Sequence, residues 1–303
     1  MIIPPYLKKG DCIGLICPSG YMPAEKTKDC VQTLQQWGFT VSIGKTTGHR
    51  HHYFSGTDEE RASDLQAMLD DDNIKAILCA RGGYGMSRII QHIDYKKFKR
   101  NPKWVIGFSD ITLLHNYINN KLKTASLHAP MAGAFNDGGA EGEYVQSLRA
   151  ALTGKKIKYH CKPSLLNRTG AAEGELTGGN LALLAHSIGS PWEPDTKNKI
   201  LFIEDTGEYL YNIDRMMLQL KYAGKLDKLS GLIVGSFSDM KDTQIPFGQD
   251  VYSIIWDKVK EYDYPVCFDF PVGHVPENYA LLSGQMHRLS VTKNNISLKE
   301  IRE

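Results

Sequence analysis

The chain has 303 residues, 42% hydrophobic and 23% charged, enough apolar material for one large domain or two ordinary ones. Its 36 basic and 34 acidic residues leave a net charge of +2, which gives no electrostatic footprint for a nucleic-acid partner. No apolar run approaches a membrane span and no charged-then-apolar start marks a signal peptide, so the expectation is a cytoplasmic protein with no membrane partner.

The first half alternates short apolar runs with amphipathic stretches. "CIGLICPSG", residues 12–20, reads as a strand ending in a turn. "AEKTKDCVQTLQQWG", residues 24–38, reads as a helix closed by glycine, and "FTVSIG" as a strand. "TDEERASDLQAMLDD" opens with Thr57 and has Glu60 three residues on, a capping-box pattern. Ala62, Leu65, Met68 and Leu69 share one face of that helix. "IKAILCA" and "KWVIGF" read as further strands. The one local basic run, "DYKKFKR", reads as a solvated helix end. This order predicts an α/β fold with a parallel sheet covered by helices on both faces.

Around residues 153–172 the pattern loosens, and a linker is expected there between domains at 1–152 and 173–303. Beyond it come "KILFIED", "LSGLIVGSF" and "YPVCFDFPVGH" as strands. "YNIDRMMLQLKYAG" and "DVYSIIWDKVKEY" read as helices. "HRLSVTKNNISLKEI" reads as a hairpin turning at Lys293 to Asn295, so the second domain is predicted to be mixed α/β. The six cysteines form no C-x-x-C pair and read as reduced thiols, with no metal or cofactor expected.

Ligands of open parallel sheets bind beyond the carboxyl ends of the strands. Three candidate groups lie at such ends. Ser109 follows "KWVIGF" on a strand-to-helix turn, where amides at a helix start favour negative charge. "GFSDIT" matches the G-x-S-x-G elbow only in part, because Ile111 replaces the second glycine. A plain helix cap by Ser109 or Asp110 fits the same residues. Ser19, at the end of the first strand, is the next candidate nucleophile.

A serine needs a base. His274 stands between a glycine and a V-P-E-N turn, with no strand or helix face to fill. An ordinary loop histidine fits that position too. His115 and His186 read as packing residues, and His49, His51 and His52 as a polar loop cluster. Glu204, at the end of an apolar strand, is the carboxylate that could orient His274, unless it simply faces solvent. In "CARGGYGMSR", Gly82 and Gly83 let backbone approach a ligand, and the amides of Gly83 and Asp110 could hold an oxyanion. Arg81 beside them either reads a substrate carboxylate or anchors the loop. The loop lacks the lysine of a phosphate-binding motif.

These motifs, in this order, resemble the LD-carboxypeptidases, the muramoyltetrapeptide carboxypeptidase family of serine peptidases. The resemblance runs through "PSG" at Pro18, "GTDEERASDLQAML", "ARGGYG", "GFSDIT", "GGNLALL" at Gly178, "IEDTGE" at Ile203, "IDRMMLQL" at Ile213 and "PVGH" at Pro271. It implies an amidotransferase-like N-terminal domain beside a smaller mixed C-terminal one. It implies Ser109 as nucleophile, Glu204 and His274 as its triad partners, and oxyanion donors at Gly83 and Asp110. The activity it implies is release of the terminal D-alanine from murein tetrapeptide, by a homodimer. "HAPM" at His128 departs from the H-G-P-M of many members. Within the family, immunity peptidases against microcin C-type antibiotics would share the triad but tend to carry an extra aromatic loop. The stretch from Gly189 to Ile200 holds Trp192 but is short, which favours the cell-wall enzyme. A non-catalytic binding module of the same fold is the remaining alternative, and the presence of all three triad side-chain types argues against it.

Overall fold

The computed structural model describes residues 1–302 and divides into two units. The first unit is Met1–Lys156 with Tyr279–Leu282. Its elements are β1 (Cys12–Ile16), α1 (Lys28–Gln36), β2 (Thr40–Ile43), α2 (Asp58–Asp70), β3 (Ile74–Cys79), α3 (Met86–Ile89), α4 (Lys96–Arg100), β4 (Trp104–Gly107), α5 (Thr112–Lys121), β5 (Ser126–His128) and α6 (Glu143–Leu152). The predicted helix from Ala24 starts as a 3-10 turn, Ala24–Thr27. There the Thr27 hydroxyl donates to the Ala24 carbonyl (2.7 Å), and the Lys28 amide bonds to Glu25 instead. The capping box of α2 forms as expected. Thr57 Oγ1 accepts from the Glu60 amide (3.2 Å), and Glu60 Oε2 accepts from the Thr57 amide (2.8 Å).

β1 pairs in parallel with both β2 and β3, β3 with β4, and β4 with β5. Leu15, Ile77, Leu78, Val105 and Ile106 are buried, as strands covered on both faces require. Every connection here returns the chain over a helix, so the loops after β1, β3 and β4 all emerge at the same carboxyl edge.

The second unit is Ile157–Asn278 with the residues from Ser283 onward. It contains β6 (Lys158–Cys161), β7 (Gly170–Asn180), α7 (Leu181–His186), β8 (Lys199–Thr206), α8 (Leu210–Tyr222), β9 (Gly231–Ser238), α9 (Val251–Val259) and β10 (Val266–Cys267). β11 (Leu281–Ser283) joins the sheet of the first unit, giving the order β11-β5-β4-β3-β1-β2. β12 (Met286–Val291) and β13 (Ile296–Glu300) complete the second sheet, β10-β9-β8-β7-β12-β13-β6. Strands β7 to β10 run parallel, whereas β12, β13 and β6 are antiparallel, so the sheet is mixed as predicted. The hairpin closes where Thr292 and Asn295 bond to each other.

Two expectations need correction. The stretch 153–172 holds β6 and the start of β7 rather than a linker. β6 is an edge strand whose exposed lysine and histidine hide the buried Tyr159 between them. "YPVCFDFPVGH" contributes only Val266–Cys267 to the sheet. Asp269 then takes a left-handed φ of 58°, which turns the chain out of the ladder. Among the described residues no helix is long and apolar enough to cross a membrane.

Replacing Thr57 removes one half of a reciprocal cap. Thr57→Ala is expected to lower stability by about 1 kcal/mol. Urea unfolding should show a lower midpoint at unchanged slope.

Candidate active site

β4 breaks sharply. Gly107 ends the strand, Phe108 is extended, and Ser109 takes a left-handed φ of 64°. A 3-10 turn, Ser109–Ile111, then leads into α5. Neither Ser109 nor Asp110 caps this helix through its side chain. A non-glycine residue in this region costs about 1–2 kcal/mol, so the surroundings must hold it. They do so from both sides. His115 donates from Nε2 to the Gly107 carbonyl (2.8 Å), which the Ala129 amide also reaches (3.2 Å). Burial pushes the His115 pKa down to about 4, so the ring is neutral and structural.

On the other side stands the Asp110 carboxylate, almost fully buried. Its Oδ2 accepts from the Ser19 hydroxyl (2.6 Å) and from the Met86 amide (2.7 Å). Burial pushes this carboxyl's pKa up, while Ser19, Met86 and the nearby Arg61 charge pull it back. Ser19 is itself fully buried, so it is a support for Asp110 rather than a second nucleophile. Arg61 is buried as well and spans the loops after β1, β2 and β3. It donates to the carbonyls of Pro18 (2.7 Å), Gly85 (3.1 Å) and Gly56 (3.3 Å) and pairs with Asp58.

The glycine turn lies directly against Ser109. A methyl group on Gly82 would sit 2.8 Å from Ser109 Cβ, 3.0 Å from its Oγ and 3.3 Å from the Asp110 amide nitrogen. Only glycine fits that approach. The Gly82 carbonyl accepts from the Gly20 amide (3.0 Å). In the same trans peptide the Gly83 N–H points the opposite way. Among the described residues that N–H has no acceptor. Arg81 is exposed, and its Nη1 donates to the Tyr21 carbonyl (2.8 Å).

In the second unit, β8 carries Glu204 at a register shift against β9, between Ile203 and Asp205. Such a bulge re-aims a side chain. Glu204 is fully buried and its Oε2 accepts from His274 Nδ1 (2.6 Å). Burial pulls the His274 pKa down, but the Glu204 carboxylate outweighs it and the net shift is upward. Gly273 makes the pairing fit. A methyl group there would lie 3.0 Å from Glu204 Oε2 and 2.2 Å from Ser236 Oγ, at a φ of 134°. Asp205, next to Glu204, is also buried. It accepts from Asn180 Nδ2 (2.8 Å), the Thr206 amide (2.8 Å) and the Ala182 amide (2.9 Å). Burial and the Glu204 charge push the Asp205 pKa up to about 6.

Among the described residues no three histidine, cysteine or carboxylate groups could hold a metal ion together.

Both units match known family models. Residues 13–129 match the LD-carboxypeptidase N-terminal domain, and residues 173–289 match the LD-carboxypeptidase C-terminal domain. The chain belongs to the LD-carboxypeptidase family. It is a serine-type hydrolase. It is 35% identical over 93% of its length to a Bacillus subtilis protein named "Probable murein peptide carboxypeptidase", of which it covers 89%. A muramoyltetrapeptide carboxypeptidase structure from Oxalobacter formigenes superposes with a TM-score of 0.87 at 29% identity, covering 96% of this chain and 99% of that one. The microcin C7 self-immunity protein MccF of Escherichia coli is 27% identical over 97% of this chain and 94% of its own.

For this LD-carboxypeptidase family member, residue order alone missed the supports. Arg61 and Asp64 lie buried on the core face of α2, beside the expected Leu65, Met68 and Leu69. Asp64 accepts from the amides of Lys45 (3.0 Å) and Thr46 (2.9 Å). Their signal was the core-facing spacing of Arg61, Leu65 and Met68, which the charge of arginine disguised. His186 is exposed, not packed, and bonds to the Ala182 carbonyl one helical turn back (2.6 Å). His49, His51 and His52 are exposed.

Gly82→Ala tests the contact between turn and serine. The added methyl must displace Ser109 or the turn. Peptidase turnover is expected to fall about a hundredfold or more, with the circular dichroism spectrum and melting temperature near wild type. Wild-type turnover would show that the close approach is immaterial.

Proposed function

We propose that this enzyme releases the terminal D-alanine of murein tetrapeptide, cleaving a bond from an L centre to a D residue. Ser109 is the nucleophile, His274 the general base and Glu204 the carboxylate that orients it. The observation that carries this reading is the buried Glu204 carboxylate on His274 Nδ1. That bond leaves Nε2 as the nitrogen that exchanges protons with the serine. Ser109 Oγ attacks the scissile carbonyl while His274 takes its proton. The amides of Gly83 and Asp110 hold the tetrahedral oxyanion. Collapse expels the D-alanine amine, which takes the proton back from His274. Water then attacks the acyl-enzyme by the same proton route and frees Ser109. Arg81 and Gly82 frame the leaving-group side of this site. The cytoplasm, where recycled murein peptides are taken apart, and a homodimer complete the proposal. Light scattering of the purified protein at twice the monomer mass checks the dimer.

Ser109→Ala should cost several orders of magnitude in turnover with the fold intact. A fluorophosphonate should label Ser109 in the wild type, and far more slowly in His274→Ala, because the serine then lacks its base. The substrate test compares a tetrapeptide ending in free D-alanine with its C-terminal amide and its L-alanine epimer, by mass spectrometry. Comparable cleavage of all three would exclude a dedicated LD-carboxypeptidase. Faster cleavage of an aminoacyl nucleotide than of murein tetrapeptide would move the reading to the immunity branch.

The pH dependence follows from His274. The ring must be neutral to accept a proton, and Glu204 holds its pKa above the ordinary value of about 6.5. Activity is therefore lost as pH falls, starting above that value. Glu204→Gln removes the raising charge, so the acid limb of the kcat/KM profile should move to lower pH. An unmoved limb would show that another group sets it.

A further inference from the structure

We infer that Tyr53 reads the free terminal carboxylate of the departing residue, and that Arg81 positions it. This inference rests on the carboxypeptidase reading proposed above. An exopeptidase must tell a chain end from a continuing chain, and the terminal carboxylate lies one residue beyond the scissile carbonyl. One residue spans about 3.5 Å, so the reading group must stand beside the oxyanion amides.

Tyr53 stands there. A methyl group on Gly83 would lie 2.9 Å from Tyr53 Oη. The two glycines of the turn thus face different partners, Gly82 the nucleophile and Gly83 the phenol. Tyr53 is 54% exposed, and among the described residues its hydroxyl has no hydrogen-bond partner. A phenol O–H donates to a carboxylate oxygen without bringing a full charge into the site.

The loop that carries Tyr53 is held rigidly, as a reading group requires. The Tyr53 carbonyl accepts from the Tyr21 amide (3.0 Å), and the Tyr21 carbonyl accepts from Arg81 Nη1 (2.8 Å). His51 and Phe54 exchange both backbone bonds (2.8 and 3.0 Å). The Tyr53 ring meets Phe54 edge-on at 5.4 Å, and Phe54 lies under the buried Arg61 guanidinium at 4.8 Å. Arg50 stacks over the Tyr21 ring at 5.2 Å, so Arg50 and Arg81 give this rim two positive charges. The chemistry is that of an α-carboxylate site: one neutral donor at contact distance inside a cationic rim.

The test is Tyr53→Phe, assayed on the tetrapeptide with free terminal D-alanine and on its C-terminal amide, at enzyme concentrations that bring slow cleavage into range. The expected result is a loss of about tenfold in kcat/KM on the free acid, carried mainly by KM, with a clearly smaller loss on the amide. The inhibition constant of free D-alanine, which carries the same carboxylate, should rise by a similar factor. Arg81→Ala should reproduce the lost discrimination more weakly. An unchanged acid-to-amide ratio in Tyr53→Phe, with normal wild-type cleavage, overturns the role of Tyr53 alone. A wild-type enzyme that cleaves neither peptide overturns the underlying function and the inference with it. Tyr53 is exposed, and a melting curve that superposes on wild type excludes misfolding as the cause of any loss.

Discussion

The Asp110 carboxylate is the constraint on which the strand-end loops of the first unit depend. It is buried at the point where the loops after β1, β3 and β4 converge, and a buried carboxylate must be satisfied. It recruits the Ser19 hydroxyl from the first loop and the Met86 amide from the second. It thereby fixes the residue next to Ser109, whose left-handed conformation would otherwise relax. Leaving such an acceptor unpaired costs about 1–3 kcal/mol, comparable with the strain it holds.

Arg61 ties two of these loops, those after β1 and β3, to the loop after β2. It is a buried cation spent on the carbonyls of Pro18, Gly56 and Gly85. Together the two charges make the strand ends rigid without any regular secondary structure. The glycine turn exploits this rigidity. With the Gly82 carbonyl taken by Gly20, its peptide has one orientation, and the Gly83 N–H is committed to the open side. A donor held in place before the reaction loses no energy to reorganisation during it.

The second unit solves a similar problem with different groups. Two adjacent carboxylates, Glu204 and Asp205, are both buried at the end of β8. Asp205 is satisfied by three local donors, and Glu204 is directed to His274 by the bulge. Gly273 leaves the space for this contact, where a side chain would collide with Ser236 and Glu204. Burial, with the neighbouring Glu204 charge added, raises Asp205, while Glu204 raises His274 against the effect of burial.

Much of this protein is determined by its sequence alone. The alternation of apolar strands and amphipathic helices specifies the parallel sheet, because strand faces covered by helices must be apolar throughout. Thr57 and Glu60 specify a helix start, because their bonds are local. The succession of motifs from "PSG" at Pro18 to "PVGH" at Pro271 specifies the family. Other features belong to the tertiary structure. The edge strand β6 carried a surface pattern, because only one of its faces is buried. Ser19 and Asp110 lie 91 residues apart in sequence, so nothing local could pair them. Arg61 and Asp64 are buried on α2 only because distant loops supply the groups that satisfy them. Tyr53 is an unremarkable loop tyrosine in the sequence, and only the fold brings its hydroxyl to Gly83. Periodicity reports how a segment meets the core. The hydrogen-bond partner of a buried polar atom is chosen by folding, which brings distant loops to one edge.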